Sequence, residues 1–405
     1  MIIGIDASRA NLAHKTGTEW YSFYLIKNLA EIDSHNTYWL YVNQAPRPEL
    51  LAIVASHTNV SIKWLKSIFP FNSFWTLGRL SWEMIWRRPD LLFVPAHALP
   101  LVCPRKTINT IHDLAFWKEN DLYRPLFLKS NHHGSRHLIN LIVKILTRGR
   151  YQANSVDYLY WSTNFALKHA RKIIAVSQYT KKDILQIYKK VPSSKIVVIS
   201  NGYNEELYPP SGGTDKIASV LADYNLPQSY LLYVGRLEKK KNTLILVESF
   251  ALLRHKHPEL NLHLVLVGDA GFGYDQIQYA ISEYDLENLV HLPGWIKEEK
   301  LPYIFAGARA FIFPSKYEGF GIPILQAAAC GIPSAVSDLE VLHEVAGEAA
   351  LYFDQNNKAA IAEAMFRIAT DHSLRSKLII KGQERVKQFS FRKCAQTTLN
   401  VLENL

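Results

Sequence analysis

Short runs of β-branched and other apolar residues alternate with amphipathic helical segments along most of the chain, and this alternation constrains the fold more than any other feature. Parallel strands must be joined by crossover connections, usually helices, so the alternation favours βαβ units. Strands are predicted at residues 2–6, 37–42, 60–64, 91–94, 107–111, 172–176 and 195–199, and then at 230–234, 262–267, 289–292 and 310–313. The pattern predicts an α/β fold with two doubly wound, Rossmann-like domains.

A segment of different composition separates the two sets of strands. Residues 201–228 contain Pro209, Pro210, Gly212 and Gly213, and such residues interrupt regular structure. The length of 405 residues also exceeds what one hydrophobic core usually supports. We therefore predict an N-terminal domain at 1–200, a linker at 201–228 and a C-terminal domain at 229–390.

The cysteines and the apolar stretches indicate a reducing, aqueous environment. Cys103, Cys330 and Cys394 are far apart and lack C-x-x-C spacing, which favours free thiols over a disulfide framework or a zinc site. The apolar stretches 91–103 and 320–336 are too short and too interrupted to span a bilayer. The first residues lack the basic and long apolar regions of a secretory signal. Together these features predict a cytoplasmic protein.

Positive charge is concentrated in one region of the chain. The formal net charge is +10, and residues 105–190 contain sixteen Lys and Arg against five Asp and Glu. Nucleic acid, an anionic membrane surface and a phosphorylated substrate are each compatible with such a region, and so is a solvated basic surface without a ligand. No DNA- or RNA-binding motif accompanies the charge, so nucleic acid is not expected as a partner.

The segment 314–333 has the features of a ligand-binding turn between a strand and a helix. The predicted strand 310–313 leads into Gly319 and Gly321 and then into an apolar helical segment. Glycines let backbone amides approach a ligand closely, and a helix N-terminus favours negative charge. These amides would suit a diphosphate, and Glu318 could accept hydrogen bonds from sugar hydroxyls. Taken alone, the segment fits an ordinary glycine-rich turn equally well.

A pair of cations follows the predicted strand 230–234. Arg236 comes just after this strand, and Lys241 lies at the start of the next helical segment. Two cations at the carboxyl end of a strand can neutralise a pyrophosphate and stabilise the charge that develops on a departing nucleoside diphosphate. The alternative is a solvated cluster at a helix entrance, which suits Lys239 and Lys240 better than Arg236.

With these segments in this order, the chain resembles the retaining glycosyltransferases of family four, which have the GT-B fold. The resemblance covers nearly the whole chain, and the order and spacing of its segments carry it. The segments are 14–18 (HKTGT), 110–114 (TIHDL), 174–177 (IAVS), 199–202 (ISNG), 235–241 (GRLEKKK), 266–269 (LVGD), 293–295 (PGW) and 318–321 (EGFG). The resemblance implies that the facing loops of the two domains enclose a central cleft and that residues 391–405 cross back onto the N-terminal domain.

The resemblance also implies a role for individual residues. The catalytic residues would be His112 beside the transferred sugar, Glu318 on the sugar hydroxyls, and Arg236 and Lys241 on the donor diphosphate. The donor-binding positions would also include Gly17, Gly235, Gly294, Trp295, Ile296, Gly319, Phe320, Gly321, Ile322 and Gln326. Of these, Gly17 would let its loop approach the phosphates, and residues 294–296 would contact the nucleobase.

The chain departs from the family pattern at Gln326. The pattern has a second glutamate eight positions after the first, usually in contact with ribose hydroxyls, and Gln326 occupies that position after Glu318. An amide keeps one carbonyl acceptor and adds donors, but it lacks the charge that strengthens a hydrogen bond. The nucleotide preference and the activity therefore both depend on what Gln326 contacts.

The reaction implied by the resemblance is transfer of a hexosyl group, such as mannosyl or glucosyl, from a nucleoside-diphosphate sugar. The acceptor would be a glycan, a lipid-linked glycan or a small molecule, and the anomeric configuration would be retained. No cofactor and no metal ion are expected, and the sequence contains no Asp-x-Asp triplet. We assign no protein nucleophile. An epimerase on the same fold and a nucleotide-sugar-binding protein without transferase activity are the alternatives.

The predicted N-terminal domain is longer than the resemblance leads us to expect, and the excess falls at residues 129–154. Four polar residues recur there every four positions on an otherwise apolar helical segment: Arg136, Asn140, Lys144 and Arg148. This pattern fits a helix buried against the domain. It also fits a helix in a membrane interface, with Lys and Arg at anionic head groups. The second interpretation predicts peripheral membrane contact near a lipid-linked acceptor.

Overall fold

The computed structural model describes residues 1–66, 75–96, 98–118 and 154–405. The chain divides into two compact units. The first contains Met1–Gly202 together with Phe391–Leu405, and the second contains Tyr203–Ser390. Each unit is built on one parallel sheet with helices between the strands, which confirms the predicted α/β fold class. The predicted basic helix at 129–154 lies outside the described residues, except for Asn154.

The described part of the first unit contains a sheet of seven parallel strands. They are β1 (Ile2–Asp6), β2 (Thr37–Val42), β3 (Val60–Trp64), β4 (Leu91–Val94), β5 (Thr107–Ile111), β6 (Lys172–Ala175) and β7 (Ile196–Val198). Their order across the sheet is β3-β2-β1-β4-β5-β6-β7. The first five strands have the predicted bounds, whereas β6 ends one residue early and β7 is one residue shorter at each end. The order reverses at β1, where open α/β sheets bind ligands at the carboxyl ends of their strands.

Helices connect the strands of the first unit, and the longest of those described packs on the sheet through one buried face. They are α1 (Gly17–Ile32), α2 (Pro48–Ser56), α3 (Ser81–Trp86), α4 (Ala115–Lys118), α5 (Ser155–His169) and α6 (Gln178–Ile187). In α1, Tyr21, Leu25 and Leu29 recur every four residues and are fully buried. Burial of one leucine side chain contributes about 1.5–3 kcal/mol. Glu19 closes the first turn by accepting the backbone N–H of Thr16 at 3.1 Å.

The second unit contains a sheet of six parallel strands. They are β8 (Tyr230–Val234), β9 (His263–Val267), β10 (Val290–Gly294), β11 (Ala310–Phe313), β12 (Ser334–Ser337) and β13 (Ala350–Phe353), in the order β10-β9-β8-β11-β12-β13. Strands β9 and β10 begin one residue later than predicted. Strands β12 and β13 were not predicted. Strand β12 begins and ends with serine and contains only one β-branched residue, Val336, so its sequence lacks a strand pattern. All of β12 is buried and pairs on both sides, so its neighbours make it a strand.

One helix of the second unit corrects the predicted linker at 201–228. The helices are α7 (Gly213–Asp223), α8 (Thr243–Lys256), α9 (Tyr274–Glu283), α10 (Leu301–Gly307), α11 (Ile322–Ala329), α12 (Glu340–Ala346), α13 (Lys358–Thr370) and α14 (His372–Val386). Helix α7 lies inside the predicted linker, buries Val220 completely and packs against α10. The proline and glycine residues mark only the loop before α7, which begins after Gly212 in a left-handed conformation with φ 97°.

The last helix, α15 (Phe391–Glu403), belongs to the first unit. It packs along α1, where the ring of Phe391 stacks on Tyr24 with centroids 5.0 Å apart. At its far end Asn36 donates a hydrogen bond to Glu403 at 3.1 Å. The chain therefore leaves the second unit at residue 390 and ends in the first.

Candidate functional site

In the second unit, the loops that follow β8, β9 and β10 meet through their backbones. The N–H of Gly268 donates to the carbonyl of Gly294 at 2.9 Å, and the N–H of Gly235 donates to that of Val267 at 2.9 Å. A Cβ atom on Gly268 would lie 2.1 Å from the carbonyl oxygen of Gly235. The φ of Gly268 is 142°, which also excludes most side chains. Only glycine fits at position 268, and because it has no side chain the loops after β8, β9 and β10 can approach one another.

Arg236 follows β8 directly and projects from this junction. Its carbonyl oxygen accepts a hydrogen bond from the Tyr233 hydroxyl at 3.0 Å. Burial raises the pKa of Tyr233 well above its usual value, with a smaller contribution from the nearby carboxylates, so this hydroxyl remains a donor. The Arg236 side chain is 56% exposed, and its Nε lies 3.8 Å from Glu238. A fixed backbone with an exposed guanidinium suits the binding of an anion from solution.

Lys241 and Glu318 form an ion pair between two loops that are distant in sequence. The Lys241 Nζ donates to Glu318 Oε1 at 2.6 Å, and the carboxylate side chain is 9% exposed. Lys241 ends a short 3-10 turn, Lys239–Lys241. The backbone N–H of Lys316 donates to the carbonyl of Lys240 at 3.1 Å and joins the same two loops. An ammonium suits phosphate and a carboxylate suits hydroxyl groups, so the pair offers both contacts that a sugar diphosphate needs.

The segment from Glu318 to α11 has the turn geometry that its glycines predicted. Gly321 adopts φ 109° and caps α11, which begins at Ile322. Phe320 is buried and packs edge-to-face on Phe389 with centroids 5.8 Å apart. Gly319 lies between the Glu318 ion pair and this anchor. The amides at the start of α11 therefore have a fixed orientation, and the positive end of the helix dipole favours an anion there.

Gln326 lies in α11, one turn after Ile322. Its side chain is mostly buried. Within the described ranges no group forms a hydrogen bond with its side-chain amide, and its atoms keep some contact with solvent. The amide is therefore available to a ligand at the helix that carries the candidate site.

At the end of β10, Gly294 has φ 75° and an open space where a Cβ would be. Its backbone conformation, rather than crowding, favours glycine there. Ile296 is buried, and Trp295 between them is half-buried. This loop is bonded to Gly268 and so belongs to the same junction as Arg236.

The first unit contains Gly17 and His112. Gly17 is the first residue of α1, and within the described ranges no atom beyond its chain neighbours and its own helix lies within 4 Å of the position that a Cβ would take. His112 follows β5 and is half-buried. Its Nε2 lies 3.0 Å from the carbonyl oxygen of Pro95, and its ring packs edge-to-face on Tyr21 with centroids 4.8 Å apart. A carbonyl only accepts, so Nε2 carries a proton and the ring orientation is set.

Sequence reasoning gave no role to two residues that hold the second-unit loops. Gly268 belongs to the LVGD segment, which contributed to the resemblance but suggested no backbone contact. Asn242 has φ 61°, and its buried side chain donates to the carbonyl of Gln355 at 2.7 Å, which braces the turn that carries Lys241. An asparagine directly after a lysine run is a signal for a left-handed residue and could have indicated this turn.

Two family models match the chain. The model described as glycosyl transferases group 1 matches residues 222–385, and the model described as glycosyltransferase family 4 matches residues 15–207. Among curated proteins, O-antigen chain mannosyltransferase B of Escherichia coli is 32% identical over 269 residues, which is 65% of this chain and 68% of that protein. Alpha-maltose-1-phosphate synthase of Mycobacterium tuberculosis is 27% identical over 62% of this chain and 67% of its own length. The serotype-specific mannosyltransferase WbdA of Escherichia coli is 23% identical over 64% of this chain, and that match spans only 32% of WbdA.

Solved structures share the fold over the whole chain. HepE from Anabaena in complex with UDP and glucose has a TM-score of 0.69 at 18% identity and covers 100% of this chain and 99% of its own. WaaG, a glycosyltransferase involved in lipopolysaccharide biosynthesis, has a TM-score of 0.71 at 11% identity and covers 99% of each chain. Because these identities are below 25%, the comparison supports the two-sheet fold and nothing more specific.

Proposed function

Because the chain belongs to the group 1 glycosyltransferases of family four and has the GT-B fold, we propose that it transfers a mannosyl residue from a nucleoside-diphosphate sugar to a glycan acceptor. The chain is a glycosyltransferase that uses a nucleotide sugar, and hexosyl transfer fits its relatives. Mannose is the first choice among hexoses because the relative with 32% identity is named an O-antigen chain mannosyltransferase. The same name favours a growing polysaccharide, free or lipid-linked, as the acceptor.

The donor side of the proposal is supported by the Lys241–Glu318 ion pair together with the exposed Arg236, which lies on the same connection after β8. In the proposed complex, Arg236 and Lys241 bind the diphosphate, and Glu318 accepts hydrogen bonds from sugar hydroxyls. The amides of residues 319–322 bind the sugar and phosphate, while residues 294–296 contact the nucleobase. Gln326 faces the ribose from α11.

The proposed reaction retains the anomeric configuration. The bond between C1 of the sugar and the diphosphate oxygen breaks, and the acceptor oxygen bonds to C1 on the same face. The acceptor proton passes to the departing phosphate oxygen, so no protein nucleophile is required. Arg236 and Lys241 stabilise the negative charge on the leaving diphosphate. His112 binds the transferred sugar, and Gly17 lets the start of α1 approach the phosphates.

A donor screen followed by product analysis tests this function. A ligand that binds only the folded protein raises its melting temperature, so UDP-, GDP-, ADP- and dTDP-sugars are compared by thermal unfolding. The stabilising donor is then incubated with glycan acceptors, and the new linkage is assigned by NMR. We expect transfer of mannose with an α linkage from an α-linked donor. A β linkage would contradict retention, and transfer of a different hexose would contradict mannose.

We propose further that the protein acts at the cytoplasmic face of a membrane that contains anionic lipid. No helix in the described ranges is long and apolar enough to cross a bilayer. The predicted interfacial helix at 129–154 is outside those ranges, but α3 supports the same proposal. Trp82, Ile85 and Trp86 are 54%, 53% and 70% exposed and lie on one helix face. Arg87 and Arg88 follow and are also exposed. Tryptophan favours the membrane interface, and arginine favours anionic head groups.

Binding to lipid vesicles tests this contact. Wild-type protein is expected to bind vesicles with 30% phosphatidylserine at low salt and to dissociate at high salt. Trp82→Ser with Trp86→Ser should weaken binding by at least tenfold. The control is Tyr279→Ser, which removes a side chain that is 68% exposed in the second unit. A wild-type protein that does not bind these vesicles at low salt would contradict the proposal.

A further inference from the structure

Two cations in the loops that follow β1 and β2, Lys15 and Arg47, lack a hydrogen-bond acceptor within the described part of the chain. Lys15 lies between β1 and α1, and its side chain is only 2% exposed. Its Nζ is 3.9 Å from Glu49 Oε1, which is too long for a hydrogen bond, and no acceptor in the described ranges replaces it. Arg47 lies between β2 and α2. Its Nε is buried and has no hydrogen-bond partner among the described residues. It lies 3.8 Å from the other oxygen of Glu49.

The charges around Lys15 leave a positive surplus. Lys15 and Arg47 share the single carboxylate of Glu49. The nearby Arg9 and Glu19 neutralise each other in a pair at 3.1 Å. Lys15 also lies just before the N-terminus of α1, whose helix dipole adds positive potential. A positive charge on a side chain as buried as Lys15 lowers stability unless an anion neutralises it.

The aromatic side chains around Lys15 reduce this cost without satisfying its donors. The Nζ lies over the rings of Trp20 and Phe23, at 5.1 and 5.4 Å from their centroids. A cation–π contact stabilises the charge, but an ammonium has three N–H groups that need oxygen acceptors. The rings therefore hold the ammonium in place and leave its hydrogen bonds to be made by a ligand.

The loop that carries Arg47 is braced in position by a buried side chain. Asn11 is almost completely buried, and its Oδ1 accepts the backbone N–H of Arg47 at 2.9 Å. Its Nδ2 donates to the carbonyl of Ala45 at 3.0 Å. The loops after β1 and β2 are therefore joined before any ligand arrives, and such preorganisation lowers the cost of binding.

We propose that Lys15 and Arg47 form an oxyanion site for a phosphate or carboxylate group on the acceptor. This inference rests on the proposed transferase function, because it defines the acceptor as acidic. An oxyanion accepts hydrogen bonds from Lys15 Nζ and from the guanidinium of Arg47, whose side chain is 41% exposed, and it neutralises the surplus charge. The site lies at the same edge of the sheet as His112. Strands β2 and β5 are three spacings apart in that sheet, about 14 Å, which leaves room for sugar units between the two.

Stabilisation by inorganic phosphate tests the site itself. Melting temperatures of the full-length protein are measured with increasing phosphate, with chloride added to hold the ionic strength constant. A background with both Arg236→Ala and Lys241→Ala removes the two cations of the candidate donor site. We expect phosphate to raise the melting temperature and both Lys15→Met and Arg47→Gln to weaken the apparent Kd at least tenfold. The control Lys27→Met removes another α1 lysine, paired with Glu31 at 3.8 Å, and should keep the wild-type Kd.

Lys15→Met should be at least as stable as the wild type without phosphate, because it replaces a buried ammonium by an apolar chain of similar length. A marked loss of stability would mean that Lys15 is structural and would overturn the proposal. If Lys15→Met does not fold, the effect of Arg47→Gln on phosphate binding tests the proposal. This variant should fold because the Arg47 side chain is 41% exposed. Phosphate that stabilises no more than chloride, or that stabilises both variants as well as the wild type, would also overturn it.

The acceptor assay separates the two sources of the oxyanion and is independent of donor binding. A phosphorylated glycan acceptor and its phosphatase-treated form are compared by kcat/KM. If the acceptor supplies the oxyanion, the wild type prefers the phosphorylated form at least tenfold and Lys15→Met loses that preference. Phosphate stabilisation without such a preference would assign the site to free phosphate and contradict the acidic acceptor. Donor-induced stabilisation should be unchanged in Lys15→Met. Its loss would assign the oxyanion to the donor diphosphate, which Gly17 admits to the start of α1 in the proposed function, and would overturn the inference. A wild-type protein that binds no donor would count against the transferase function instead.

Discussion

The two units present their candidate residues in opposite electrostatic states. In the second unit, Lys241 and Glu318 neutralise each other at 2.6 Å, and glycine backbones lock the surrounding loops. In the first unit, Lys15 and Arg47 share the carboxylate of Glu49 at 3.9 and 3.8 Å, and within the described ranges neither side chain has a hydrogen-bond partner. The second unit thus presents a neutralised ion pair, whereas the first presents two cations that share one carboxylate. This difference is what we expect if, as proposed, the second unit binds the donor and the first binds an acidic acceptor.

Removing the second-unit cations should have the largest effect on activity. Arg236→Ala and Lys241→Ala are each expected to reduce turnover about 10- to 1,000-fold, the range for losing one electrostatic contact to a transition state. The fold should persist, as judged by circular dichroism. Lys239→Ala, in the same turn, should retain turnover. Full activity in either cation variant would mean that the second unit does not bind the diphosphate through these residues.

Adding a Cβ should destabilise the protein at Gly268 in the second unit but not at Gly17 in the first. Gly268→Ala places a Cβ against the Gly235 carbonyl in a backbone conformation that disfavours side chains, so it should cost on the order of 3 kcal/mol in unfolding free energy. Gly17→Ala meets no atom and should change stability by less than about 0.5 kcal/mol. Urea unfolding measures both. Equal losses would remove this contrast between the units.

A carboxylate at position 326 tests whether this side chain of the second unit contacts the ribose. Gln326→Glu should tighten binding of the correct nucleoside diphosphate about fivefold if the side chain faces the ribose, because a charged acceptor forms the stronger hydrogen bond by about 1 kcal/mol. Calorimetry measures the affinity, and thermal unfolding checks that the fold is intact. An unchanged affinity would mean that position 326 does not contact the ribose.

The smallest effect is expected from the pH dependence of Lys15. Burial lowers the pKa of Lys15 below its usual 10.5, although the Glu49 carboxylate opposes the shift. The unfolded chain therefore binds more protons between the two pKa values, and stability rises with pH across that window. The stability of the wild type relative to Lys15→Met should increase as the pH approaches 10.5. A difference that stays constant between pH 7 and 10 would mean that Lys15 is not destabilised by burial.

The fold was predictable from sequence wherever local pattern and packing agree. The central strands β1, β2, β4, β5, β8 and β11 have strongly apolar or β-branched runs, and their bounds were predicted correctly. Strand β12 was missed because its four residues have no β pattern, and helix α7 was missed because the prolines and glycines before it resemble a linker. In both cases the segment packs against elements that are distant in sequence, and this packing overrides the local sequence pattern.

The sequence by itself determined the two-sheet α/β class, the order of its glycine-rich turns and the residue types suited to a sugar diphosphate, because periodicity and turn chemistry are local. Only the tertiary structure decided which of these residues meet. The Lys241–Glu318 pair joins positions 77 apart, and the contact between Gly235 and Gly268 joins two different strand ends. The missing partners of Lys15 and Arg47 were likewise invisible in sequence. Whether a charge is neutralised depends on distances that are set by how sheets and loops pack.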